Sequence, residues 1–236
     1  MEFHGINKTT LLDFPKHIAC TVFTGRCNLR CPFCHNGDLV LQPDSQPIIT
    51  EEAVLSFLER RKDTLEGICI TGGEPTLQKD LLSFLARCKE LGYLTKLDTN
   101  GTRPDVIQAA LDAKLLDYIA MDIKNSFPKY PLTVGMNDFC QENIKESISL
   151  LMNSNIDYEF RTTVVRELHT AEDLIDIAHM LKNCKQYFLQ SFKDSGNVLE
   201  DGFSAYTDDE MIALYNPIKP ILPVTKLRGI DIERNL

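Results

Sequence analysis

Residues 18–36 read IACTVFTGRCNLRCPFCHN: an apolar, β-rich run, Ile18–Phe23, followed at once by three cysteines, Cys27, Cys31 and Cys34, spaced C-x3-C-x2-C. Thiolates are soft ligands that select iron–sulfur clusters, zinc or copper. A four-iron cubane held entirely by protein takes one cysteine per iron. Here the run stops at three, so a fourth iron would lack a protein thiolate and stand open to a small molecule.

Outward from this strand, short apolar runs alternate with helix-length amphipathic stretches. Strands are expected at Ile18–Phe23, Gly67–Thr71, Leu94–Asp98, Tyr118–Ile123, Tyr158–Val165 and Tyr187–Phe192. Helices are expected at Glu51–Lys62 behind the N-cap Thr50, at Lys79–Leu91 ended by Gly92, and at Pro104–Ala113 with proline at its start. Further helices are expected at Asp138–Asn153, at Ala171–Asn183 capped by Thr170, and at Thr207–Tyr215 with a Thr207–Glu210 capping box. About six β–α units imply a parallel sheet. That is too few for a closed eight-fold barrel, so the expected fold is α/β: a partial (β/α)6 barrel, open on one side. Its ligands belong at the carboxyl ends of the strands. The motifs obey this. The cysteines follow the first strand, Gly72-Gly73-Glu74 the second and Asp98-Thr99-Asn100 the third, while Asp122 and Lys124 close the fourth. Residues 1–236 read as one domain, with an N-terminal extension over 1–17 and an extended C-terminal tail over 217–236 that starts at PIKPILP.

At 236 residues the chain is long enough for a single α/β barrel, and its net charge of -9 makes it a poor partner for nucleic acid or an anionic membrane. No apolar stretch reaches the roughly 18 residues of a membrane span, and no basic-then-apolar leader opens the chain, so the expected location is cytoplasmic. In that compartment eight cysteines read as ligands and buried thiols rather than disulfides. The scattered Cys20, Cys69, Cys88, Cys140 and Cys184 read as core thiols, with no second cluster.

Other chemistries compete for the cysteine run. Cys31-Pro32-Phe33-Cys34-His35 fits the C-x-x-C-H pattern of covalent haem attachment, and Cys31 with Cys34 fits a redox pair. Both leave Cys27 unused. Three cysteines plus His35 could hold zinc, although adjacent Cys34 and His35 fit one ion awkwardly.

GRCNLRCPFCHN, with an aromatic at Phe33, resembles the cluster loop of the radical S-adenosylmethionine (SAM) superfamily, and the later motifs follow in its order along nearly the whole chain. The resemblance implies a [4Fe-4S] cluster on Cys27, Cys31 and Cys34. Its open iron is chelated by SAM, which an electron splits into methionine and a 5′-deoxyadenosyl radical. Gly72, Gly73 and Glu74 then match the segment that recognises the SAM amino group; glycines admit close approach and a carboxylate suits an ammonium. Asp98-Thr99-Asn100-Gly101 resembles the segment of glycyl-radical-enzyme activases near the SAM ribose and carboxylate. Asp122 and Lys124 resemble their D-x-K, with Lys124 pairing the SAM carboxylate. Asp98, Thr99, Asp122 and the Met121 carbonyl could hold a monovalent cation. Arg161 sits where activases carry an arginine that touches substrate or SAM. One departure stands out: where some activases place a histidine, this chain has Gln190-Ser191-Phe192. His35 could hydrogen-bond near the cluster, whereas His4, His17, His169 and His179 read as structural or surface residues.

The stretch from Leu11 to Asn36 is most similar to the activating protein of anaerobic ribonucleoside-triphosphate reductase. The resemblance implies a glycyl-radical enzyme as partner and a flavodoxin or ferredoxin-type electron donor. The loop Asn125–Asn137 is the expected partner-docking segment. Alternatives are another glycyl-radical enzyme of the pyruvate formate-lyase type, a small-molecule substrate such as a deazapurine precursor, and a non-catalytic cluster or zinc protein.

Overall fold

The computed structural model describes residues 1–194, 196 and 198–230; the end of the expected tail, 231–236, lies outside them. Two short strands, β1 (Glu2–Phe3) and β4 (Ile49–Thr50), pair antiparallel. The remaining strands are β2 (Gly5–Thr10), β3 (Ala19–Thr24), β5 (Gly67–Gly72), β6 (Leu94–Thr99), β7 (Tyr118–Asp122), β8 (Asp157–Val164), β9 (Tyr187–Ser191) and β10 (Thr225–Arg228). They form one eight-stranded sheet in the order β10-β9-β8-β7-β6-β5-β3-β2. Every pairing in it is parallel except β2 with β3. The edges β2 and β10 do not pair with each other, so the barrel is open as expected.

The six expected strands are β3 and β5 to β9, each within one residue of its expected ends. Helices α2 (Glu51–Glu59), α3 (Leu81–Glu90), α4 (Pro104–Asp112), α6 (Gln141–Met152), α7 (Ala171–Met180) and α8 (Asp208–Tyr215) run up to three residues shorter than expected at an end, and α1 (Gly37–Leu41) and α5 (Tyr130–Val134) are additional. The Thr50 hydroxyl accepts from the Ala53 amide, and capping boxes close on Thr170 with Asp173 and on Thr207 with Glu210. No helix among the described residues is long and apolar enough to cross a membrane.

Both strands outside the expected set fall in segments read as extension and tail. β2 (GINKTT) is polar with only Thr10 buried, as an edge strand permits. Pro217–Pro223 is not extended: Leu222 N bonds the Ile218 carbonyl at 2.9 Å, and the buried Ile218 and Leu222 anchor helical turns that deliver β10.

The alternation of each strand sets the character of the interior. Val22, Ile70, Leu97, Ile119, Phe160 and Leu189 pack into the main apolar core. The alternate positions, including Thr71, Asp98, Asp122, Arg161 and Gln190, line a polar lumen. Below it, Phe14 from the β2–β3 loop packs on Ala19, Tyr118 and Ala120 and closes the bottom.

Candidate active site

The loop after β3 is held by the segment that ends β5. The Gly73 amide donates to the Thr24 carbonyl and the Glu74 amide to the Arg26 carbonyl, both at 2.8 Å. A Cβ on Gly72 would lie 2.4 Å from the Thr24 carbonyl oxygen, and one on Gly73 would lie 2.0 Å from that of Arg26. The two glycines are therefore needed for backbone to approach backbone, which fixes the chain entering Cys27. Asn36 Nδ2 donates to the Gly72 carbonyl at 2.7 Å, and the Arg30 amide to that of Val134 at 2.9 Å. Phe33, buried, meets Phe192 edge-on at 6.4 Å, and His35 stacks on the same ring at 5.4 Å. Phe192 thus packs against the cysteine loop where a histidine was the family expectation.

Cys27, Cys31 and Cys34 line a cavity of ≈ 250 Å³ together with Phe33, Gly72, Gly73, Glu74, Asp98, Thr99, Asn100, Asp122, Lys124 and Arg161. Of the expected site residues only Met121 is missing from its walls; its side chain packs in the apolar core. Asn36, Thr71, Thr163 and Gln190 also line it and were not expected. Thr163 could have been read from the period of two, since it shares a strand face with Arg161.

Glu74 is 1% exposed, and four donors already serve it. Oε1 accepts from the Thr76 amide (3.0 Å), the Thr76 hydroxyl (2.5 Å) and the Thr99 hydroxyl (2.8 Å), and Oε2 from the Asn100 amide (2.7 Å). Burial pushes its carboxyl above the ordinary range while these bonds pull it back. Glu74 thus ties the loop after β5 to the loop after β6.

Across the lumen charges alternate: Lys96, Asp98, Arg161, Asp122, Lys124. Arg161 Nε lies 2.9 Å from Asp122 Oδ1 and its Nη1 3.2 Å from Asp98 Oδ2. Lys124 Nζ lies 2.9 Å from Asp122 Oδ2, and Lys96 pairs with Asp98 Oδ1. Burial would raise both carboxyls, yet Arg161 with Lys124 holds Asp122, and Arg161 with Lys96 holds Asp98, below the usual carboxylate range. Every oxygen of both carboxylates therefore has a cationic partner, and the Thr99 hydroxyl is turned to Glu74. At Asp98, Thr99, Met121 and Asp122, the residues expected to hold a monovalent cation, the Arg161 guanidinium bridges the two carboxylates.

The segment expected to dock a partner is itself folded. Within Asn125–Asn137, Tyr130 is fully buried, stacked on Phe139 at 4.8 Å, and its hydroxyl accepts from the Lys124 amide. The segment folds into α5 and props the cysteine loop.

Burial pushes the Cys27 thiol up to about 11 and Cys31 to about 12. Among the described residues no three His, Cys, Asp or Glu side chains converge on a single-ion position. A cubane takes one thiolate per iron, so its cysteines need not crowd one centre as the ligands of a zinc ion do. Three unpaired thiols facing one cavity fit such a cluster.

Fold and site together define a radical SAM protein: residues 21–181 match the Radical SAM superfamily, and the chain belongs to it. Its relatives place it among the activating enzymes of glycyl-radical enzymes. A Methanocaldococcus jannaschii protein, provisionally named a glycyl-radical enzyme activating enzyme, is 38% identical over 195 residues, covering 80% of this chain and 79% of that one. The pyruvate formate-lyase-activating enzyme of Clostridium pasteurianum is 29% identical over 191 residues, covering 78% and 77%. The crystal structure of Streptococcus suis SuiB bound to S-adenosylmethionine shares the fold, with TM-score 0.69 and 15% identity over 87% of this chain; the chain spans 49% of that structure. Membership of the superfamily implies a [4Fe-4S] cluster and SAM.

Proposed function

We propose that this chain activates an anaerobic ribonucleoside-triphosphate reductase. On this reading Cys27, Cys31 and Cys34 each ligate one iron of a [4Fe-4S] cluster whose remaining iron binds SAM. When bound, cluster and SAM supply, from one electron, an organic radical that takes a hydrogen atom from a glycine α-carbon of the partner. A flavodoxin or ferredoxin-type protein provides the electron. Lys124 and Arg161 present positive charge toward a ligand carboxylate, Phe33 walls the site, and Glu74, Thr99 and Asn100 hold its two loops in register. All eight cysteines are unpaired, as suits a reducing compartment, and we place the protein in the cytoplasm.

One observation carries the reading. The cysteine cavity adjoins a second, of ≈ 360 Å³, lined by Leu12, Asp13 and Pro15 beside β2 and by Arg228 of β10, and the two share Asp98, Arg161 and Gln190. Those shared side chains form the wall between the cysteine cavity, at the carboxyl ends of the strands, and the cavity beside the β2–β3 loop; the three thiols gathered with Lys124 and Arg161 in the former support the radical SAM chemistry of this reading. The Leu11–Asn36 resemblance selects the reductase among partners. The test offers the anaerobically reconstituted protein, with dithionite and SAM, to an anaerobic ribonucleotide reductase and separately to a pyruvate formate-lyase. A glycyl-radical doublet on the reductase is the expected result; a doublet on the lyase alone would reassign the partner.

A further inference from the structure

A glycine has no side chain to recognise, so an enzyme that takes its α-hydrogen must find it through the flanking peptide groups. Resting on the activase reading, we propose that Gln190, aimed by Arg228, hydrogen-bonds the backbone of the incoming glycine segment of the partner.

Gln190, Asp98 and Arg161 line the cysteine cavity and form its wall toward the cavity beside the β2–β3 loop. Asp98 and Arg161 are engaged in ion pairs with each other, Lys96 and Asp122. Gln190 is the uncharged member. Its carboxamide offers an acceptor and two N–H donors, the complement of a peptide group. Oε1 accepts from Arg228 Nη1 at 3.0 Å, which distinguishes the oxygen from the nitrogen and turns Nε2 the other way. Nε2 makes one long contact, 3.5 Å to Thr163 Oγ1, and retains an N–H for a visitor. Arg228 is itself fixed: its terminal nitrogens lie 3.0 and 3.1 Å from the two oxygens of Glu159, and the guanidinium lies 3.8 Å over the Phe188 ring. Glu159 is 2% exposed and accepts from the Tyr118 hydroxyl at 2.9 Å. A chain of partners, Tyr118 to Glu159 to Arg228, thereby orients one amide. Gln190 touches the partner; Arg228 is a positioning residue.

The test uses reconstituted enzyme with SAM and partner, and reads glycyl-radical spins formed per 5′-deoxyadenosine released. Gln190→Ala lowers this ratio by about tenfold, the loss of one well-made hydrogen bond to the substrate backbone. Gln190→Glu, which keeps the shape and the Arg228 contact but loses the N–H, lowers it comparably. Arg228→Met raises KM for the partner more than it lowers kcat. A purely structural role would reduce SAM cleavage and radical yield together and leave the ratio constant, and an unchanged ratio in both Gln190 variants overturns the assignment. Should those variants lose the cluster, an unchanged KM in Arg228→Met overturns it instead. Wild-type enzyme that cleaves SAM yet places a radical on no partner removes the activase reading and this assignment with it. A wild-type radical with unaffected variants removes this assignment alone.

Discussion

Arg161 joins Asp98 to Asp122, with Nε 2.9 Å from one carboxylate and Nη1 3.2 Å from the other. Its side chain is 14% exposed, so removing the guanidinium leaves two carboxylates facing each other with little water between them. Arg161→Met is expected to lose about 3–5 kcal/mol in urea unfolding, the cost of breaking a buried ion-pair network. Added potassium should restore part of that loss in the variant and leave the wild type unmoved. A loss within about 1 kcal/mol, the size of a surface pair, would contradict the bridging role.

Gly73→Ala tests the backbone clamp on the cysteine loop. A methyl 2.0 Å from the Arg26 carbonyl oxygen must push that loop away. The expected destabilisation is about 1–3 kcal/mol, as for other overpacked sites, with most of the iron lost on anaerobic reconstitution. Iron and sulfide per chain equal to wild type would show that the clamp does not set the cysteine geometry.

Asn100 should tune the cluster through Cys27. Its Oδ1 accepts from the Thr102 amide at 3.0 Å, which turns Nδ2 toward the Asn28 side chain (3.0 Å) and Cys27 Sγ (3.7 Å). The Leu29 amide also points at that sulfur, at 3.4 Å. Hydrogen bonds to ligand sulfur stabilise the reduced, more negative cluster. Asn100→Ala is expected to move the midpoint negative by on the order of 50 mV, the equivalent of one ~1 kcal/mol hydrogen bond in a one-electron couple. An EPR-monitored redox titration reads it, and an unmoved or more positive midpoint would refute the tuning.

His169 gives a pH dependence. It is fully buried, its Nδ1 accepts from the Val165 amide at 3.1 Å, and Nε2 then donates to the Lys124 carbonyl at 2.8 Å. Burial holds its pKa below the ordinary imidazole value. The unfolded chain therefore binds the proton more readily, and this contribution to stability is present above about pH 6.5 and lost as pH falls through the lower folded-state value. The melting midpoint should drop between about pH 8 and about pH 5, with a shallower drop in His169→Gln. Equal slopes in the two proteins would contradict the assignment.

Much of this was legible in the sequence because local signals and global fold agree. The strands from Ala19 to Ser191 announce themselves by apolar runs, and the cysteines, Gly72-Gly73-Glu74 and Asp98-Thr99-Asn100 converge because each follows a strand of one parallel sheet. What was not legible depends on partners distant in the chain. Polar β2 and the short β10 are strands only because an edge awaits them. Tyr130 looks like a docking aromatic until Phe139 is seen stacked on it. The bonds from Thr76, Thr99 and Asn100 to Glu74 join two loops that the sequence sets 25 residues apart. Arg161 bridges Asp98 and Asp122 because β7 and β8 set Asp122 beside it in register.

Isotope transfer tests hydrogen abstraction from glycine most directly. The reductase would be prepared with its glycines deuterated at the α-carbon and incubated anaerobically with reconstituted protein, dithionite and SAM. Mass spectrometry would then read the 5′-deoxyadenosine released. Deuterium in its methyl group, absent when Cys34→Ala replaces the wild type, is the expected result. Deuterium-free 5′-deoxyadenosine, formed at wild-type rate with the deuterated reductase present, would contradict it.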